Sequence, residues 1–162
     1  MAGSGDRAGR GRVVPPGVLA MLAALQDALA AEQAACYGYG VAGAHLTGTQ
    51  YTQAADDWIA HQRARDDLTQ MITEGGAQPH AAAAAYRLPT VIRTAADATS
   101  LAIMLEHQVT AAYLGMVALA DPAMRTFGAR SMQAAAVRAA RWNARSQAFP
   151  GLRTSALEVG GG

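Results

Sequence analysis

Four helical patterns in this chain are separated by connections of very unequal length, and that inequality narrows the fold more than any other feature. The first pattern follows Pro15-Pro16-Gly17, a helix-opening signal, and runs to about Leu46, where Thr47-Gly48 stops it. The second runs from about Thr49 to Glu74 and ends at Gly75-Gly76, a C-terminal cap pair. The third starts at Thr94, with Asp97 three residues on as a variant of the capping box, and lasts to about Ala120. Asp121-Pro122 offers an N-cap and a proline at the first helical position for the fourth, which reaches about Gln147 before Phe149-Pro150. The first two patterns lie about three residues apart and the last two about one or two, so each pair is an antiparallel hairpin. Between the hairpins stand about 19 residues, 75–93, with Pro79, Pro89 and the alanines Ala81 to Ala85. A helix of about 27 residues is about 40 Å long, and such a connection reaches about 60 Å. It can therefore cross the whole molecule and leave the second and third helices parallel. The spacing predicts an all-α four-helix bundle over residues 15–148 with one long crossover between helices 2 and 3. If Ala81 to Ala85 formed a short helix, a plain up-down-up-down bundle would result instead.

Composition fits this picture. With 162 residues the chain has enough surface to bury for a single core. Leu, Ile, Val and Phe together number 28, against 40 alanines, which suits closely approaching helices better than strands. A net charge of +1 with 15% charged residues excludes a polyelectrolyte. Residues 1–14, rich in Gly, Ser and Arg, and 149–162, ending in three glycines, show no period and are expected to be disordered tails. The lone Cys36 excludes an intramolecular disulfide and fits a reducing, cytoplasmic setting. Asp27, Glu32 and Glu106 interrupt the apolar stretches before any reaches a membrane span of about 18 residues. Arg7, Arg10 and Arg12 followed by Val18 to Leu25 imitate a secretory signal, but Pro15-Pro16 and the unbroken helical pattern beyond argue against one.

Setting residues about 100° apart puts Val18, Leu22, Leu25, Leu29, Cys36 and Leu46 on one stripe of the first helix, with Glu32 and Tyr39 inside it. On the third helix Glu106 and Tyr113 fall inside a stripe that includes Ala102, Leu105, Val109 and Met116. Each hairpin thus opens with a helix that holds one carboxylate in its apolar face and a tyrosine two turns later on the same side. This internal repeat resembles the ferritin-like superfamily, whose first and third helices each give a glutamate to a central di-iron site, often with a tyrosine two turns away. The resemblance spans about residues 15–148 and implies one of the small ferritin-like domain families of unassigned activity. Members of the superfamily add Glu-x-x-His from the second and fourth helices, and that motif is missing here. Trp58 stands three residues before His61, and the fourth helix has no Glu, Asp or His. Arginines lie on those inner faces instead, Arg65 at 33 residues after Glu32 and Arg138 at 32 after Glu106.

Two buried carboxylates without partners would each cost several kcal/mol or take up a proton, and bidentate arginine is the remedy on offer. One reading is therefore a polar core of Glu32, Tyr39, Arg65, Glu106, Tyr113 and Arg138, with Arg141 at its margin. The di-iron site is then degenerate, no cofactor is held, and the protein is a non-enzymatic interaction or scaffold protein. Each tyrosine hydroxyl is expected to find the opposing carboxylate. The other reading keeps a reduced ligand set, Glu32, His61 and Glu106, for an Fe or Mn ion, since carboxylate plus imidazole suits these metals. That would make a metal-dependent oxidoreductase activating oxygen or peroxide. His45 and His107 fall away from the carboxylates, while Trp58 and Trp142 read as packing.

Gly38 to Gly43 matches G-x-G-x-x-G, but inside a helix with no strand before it, so close helix contact is expected and not a dinucleotide site. Residues 122–162 carry six arginines against one acid. Arg138, Arg141 and Arg145 share the inward side with Phe127, so neutralisation within the chain is expected and nucleic acid is not. A second apolar stripe on the third helix, with Ile103, Met104 and Leu114, needs a cover. The crossover with Tyr86 and Leu88 can supply it, and so can a second copy in a homodimer.

Overall fold

The computed structural model describes residues 14–146, and they form four helices with no strand among them. They are α1 (Pro16–Gly43), α2 (Gly48–Glu74), α3 (Ala95–Val117) and α4 (Pro122–Ser146). The expected tails, 1–14 and 149–162, lie outside the described residues apart from Val14.

Local chemistry sets the helix ends. Thr94 and Asp97 form a complete capping box at α3. At α4 the Asp121 carboxylate accepts the N–H groups of Ala123 and Met124 at 2.7 and 3.2 Å. α2 closes with the Gly76 N–H on Thr73 O and the Ala77 N–H on Ile72 O, a Schellman turn. Gly76 sits at φ 76°, where a side chain is disfavoured. α1 and α3 stop at Gly43 and Val117, short of the expected Leu46 and Ala120. Turn bonds such as Leu46 N–H to Gly43 O and Leu119 N–H to Met116 O tighten their ends before the chain reverses.

Cross-helix contacts give the directions. Glu32 meets His61 while Cys36 meets Trp58, so α1 and α2 are antiparallel. Glu32 meets Tyr113 while Tyr39 meets Glu106, so α1 and α3 are antiparallel too. Glu106 meets Arg138 and Met116 meets Gly128, which makes α3 and α4 antiparallel. It follows that α2 and α3 run parallel, in a four-helix bundle with one long crossover.

The crossover lies along α1. Gly75 rests against Leu22, Gln26 and Gln33 bond the backbone of Gln78 and His80 at 2.8 to 2.9 Å, and Tyr86 packs on Tyr37 with ring centres 5.5 Å apart. No helix forms at Ala81 to Ala85. Leu88 of the crossover packs against the same buried cluster as Ile103 and Met104 of the second α3 stripe. Leu114 stays 58% exposed.

Buried apolar residues form two clusters. One holds Leu25, Leu29, Leu68, Ile72, Val109, Tyr113 and Met116, and the other Tyr39, Leu46, Leu101, Leu105 and Trp142. Glycine lets α3 and α4 approach closely at Gly128, where an added Cβ would stand 2.7 Å from Met116 Cβ and 3.2 Å from Tyr113 O. Neither atom is the end of a flexible side chain. Gly128→Ala should therefore destabilise the fold by about 1–3 kcal/mol, read as a lowered denaturant midpoint at unchanged m-value.

Candidate functional site

A buried polar layer contains Glu32 from α1, His61 from α2, Glu106 from α3 and Arg138 from α4. The helical stripes deliver the two glutamates face to face, and His61 bridges them. Its Nδ1 stands 2.6 Å from Glu32 Oε2 and its Nε2 3.0 Å from Glu106 Oε1. The tyrosines cross between the hairpins. Tyr113 donates to Glu32 Oε1 at 2.9 Å, and Tyr39 donates to Glu106 Oε1 at 2.7 Å. Arg138 Nε donates to both oxygens of Glu106, at 2.9 and 3.0 Å. A side branch leads outward from Tyr39: Trp142 Nε1–H is shared between the Tyr39 hydroxyl at 3.0 Å and Asp57 Oδ2 at 2.9 Å. The half-exposed Arg141 then holds Asp57 Oδ1 at 2.7 Å.

The layer is formally neutral when His61 is protonated, because Glu32, Glu106 and Asp57 face His61, Arg138 and Arg141. Burial disfavours the imidazolium, but the hydrogen bonds and charges of Glu106 and Glu32 outweigh it and raise the His61 pKa to about 9. Burial also works against an ionised Glu106, and His61 and Arg138 overcome it, holding that carboxyl below its ordinary range. Burial, with the neighbouring carboxylates adding to it, pushes both tyrosine hydroxyls far up, Tyr39 against Glu106 and Tyr113 against Glu32. Both phenols stay protonated and donate to the carboxylates, while the Tyr39 oxygen also accepts the Trp142 N–H. Burial likewise raises Asp57, against the opposing pull of Arg141.

Five residues of the expected polar core, Glu32, Tyr39, Glu106, Tyr113 and Arg138, come together, and both tyrosines find the opposing carboxylate. Arg65 does not join them. It is about one-third exposed and holds Asp66 at 2.7 Å on its own helix. The cation beside Glu32 is His61, one helical turn earlier. The cause is register: His61 stands 29 residues after Glu32, whereas Arg138 stands 32 after Glu106. Equal offsets in the two hairpins therefore select different levels. Two further residues complete the layer: Asp57, which no sequence pattern singles out, and Trp142, expected as packing, which is buried in the core and also donates its N–H there. Asp57 lies four residues before His61, on the same helix face, and a buried indole N–H demands an acceptor.

Of the expected histidines, His107 is exposed and His45 half-buried, both outside the layer. Trp58 lies at the surface with its Nε1–H on Cys36 O at 3.0 Å. Gly38 does serve close contact, since an added Cβ would stand 2.5 Å from Leu105 Cδ1.

Glu32, His61 and Glu106, the reduced metal-ligand set, are thus neighbours, but their donors do not aim at a common point. Both His61 nitrogens face carboxylates, Glu106 Oε1 already accepts three donors, and Arg138 adds a fixed cation. Among the described residues no group of three His, Cys, Asp or Glu side chains has metal-site geometry. This donor set, as arranged, does not fit an iron or manganese ion.

A family model described as Domain of unknown function (DUF4439) matches residues 24–154. The crystal structure of a conserved hypothetical protein, rv2844, from Mycobacterium tuberculosis is similar with a TM-score of 0.74 and 36% sequence identity, covering 77% of this chain and 96% of that one. No curated protein matches the chain.

Proposed function

The chain belongs to the family described as Domain of unknown function (DUF4439), and from there we propose that it is a ferritin-like scaffold with a degenerate metal centre. An ion-paired core stands where di-iron relatives in the superfamily hold their metals. Its role is then binding, not redox catalysis. The observation that carries this reading is the bridging imidazole: both His61 nitrogens engage carboxylates at 2.6 and 3.0 Å. An imidazolium has two N–H donors and no lone pair for a metal. The Arg138 guanidinium, which cannot deprotonate in a protein, supports it from α4, where di-iron members carry a ligand.

Protein produced with iron and manganese supplied, then dialysed, should contain far less than one ion per chain. Glu106→Ala should lower its stability and leave its metal content unchanged. One ion per chain, lost in Glu106→Ala, would overturn this reading and favour a metal-dependent oxidoreductase built on Glu32, His61 and Glu106.

A further inference from the structure

Between the C-terminal half of α1 and the N-terminal half of α2 lies an open groove of about 430 Å³, within the size range of small-molecule sites. Tyr51, Trp58 and Ile59 of α2 wall it, and Tyr39, Gly40 and Gly43 of α1 contribute to its lining. No lining residue carries a charge. Tyr51, Trp58 and Ile59 are also 39 to 55% exposed, so three large apolar side chains left in water converge on one concavity.

The polar atoms of the aromatic residues are unequally occupied. The Trp58 N–H is bound to Cys36 O, and the Tyr39 hydroxyl is held between Glu106 and Trp142. The Tyr51 hydroxyl has no partner among the described residues. The aromatic side chains of the groove therefore offer ring surface and one free hydroxyl, that of Tyr51.

The glycines supply an independent argument. A glycine inside a helix costs about 1 kcal/mol relative to alanine, and at Gly38 and Gly128 close approach explains it. At Gly40 and Gly43 an added Cβ would meet nothing within 4 Å. Packing does not demand glycine there. What the missing side chains leave is the open space of the groove.

We propose that this groove binds a flat, uncharged, largely apolar molecule, an aromatic ring system with one hydrogen-bonding end at the Tyr51 hydroxyl. The lining has no charge to match a charged ligand, and the rings of Tyr51 and Trp58 offer aromatic surface on which a flat ring system can pack.

The test uses N-phenyl-1-naphthylamine, a flat and uncharged aromatic amine, titrated into the full chain with its fluorescence enhancement as the readout. Saturable binding of one probe per chain is expected. Gly40→Leu should fill the space and weaken binding at least about tenfold, a loss of about 1.4 kcal/mol. It should keep the helical circular dichroism and hold or raise the thermal midpoint, because leucine is the better helix former. Trp58→Ala, a change at an exposed position, should weaken binding as well, while Leu114→Ala on α3 should leave it intact. Absence of saturable binding, binding that survives both Gly40→Leu and Trp58→Ala, or binding lost in Leu114→Ala would each overturn the proposal. So would a dimer of the chain that Gly40→Leu dissociates without any probe binding, since the groove would then be occupied by a second copy.

Discussion

Glu32→Gln and His61→Leu should each destabilise the protein by roughly 3–5 kcal/mol in denaturant unfolding, and the double variant should lose far less than their sum. Each single change leaves a buried charge without its partner, whereas the double change removes both. The pair Glu106→Gln and Arg138→Met should behave alike, because Arg138 holds both oxygens of Glu106 in a nearly dry setting. Arg65→Met, by contrast, should move stability by no more than about 0.5 kcal/mol, since its ion pair with Asp66 is at the surface. Its cycle with Glu32→Gln should be additive. Additivity between Glu32 and His61 would show that the bridging imidazole is misplaced, and the metal-free reading of the centre would fall with it.

The second large effect is alkaline. Folded, His61 keeps its proton up to about pH 9, while unfolded it releases it near 6.5. Below 6.5 both states are protonated and the stabilising bridge is fully present. Between 6.5 and 9 the folded state binds the extra proton, so stability falls as pH rises, by about 1.4 kcal/mol per pH unit. Above about 9 this contribution is gone and the curve flattens. Unfolding free energies measured from pH 6 to 10 should show this slope, and His61→Gln should remove it. An unchanged slope in that variant would assign the proton to another group.

How much of this was legible in the sequence depends on distance along the chain. The helices, the Thr94–Asp97 box and the Gly75-Gly76 stop are local, and each follows from a few residues whose backbone needs are fixed. The glutamate and tyrosine pairs could be placed because they sit at helical spacing within one stripe. Pairing across a hairpin is a different problem. Where α2 stands relative to α1 depends on where each helix ends, and α1 ends at Gly43, three residues before the expected Leu46. A displacement of one turn moves the residue opposite Glu32 from His61 to Arg65. Asp57 was hidden for another reason. It stands between the exposed Asp56 and Trp58 in an outwardly polar stretch, and only the buried Trp142 indole and Arg141 reveal its inward role.

The exchanged tyrosines bear on how a chain with 40 alanines finds one alignment. Alanine surfaces are nearly featureless, and two such hairpins could slide past each other by a helical turn, about 5.4 Å, at small cost in packing. Here Tyr39 serves the glutamate of the second hairpin and Tyr113 that of the first. A slip of one turn would break both hydroxyl bonds and the His61–Glu106 contact at once, leaving each carboxylate only the cation of its own hairpin. The polar layer thus acts as a vernier between the hairpins, and its two marks coincide in only one position. Neither hairpin carries the whole scale, so correct docking and completion of the buried hydrogen bonds become a single event.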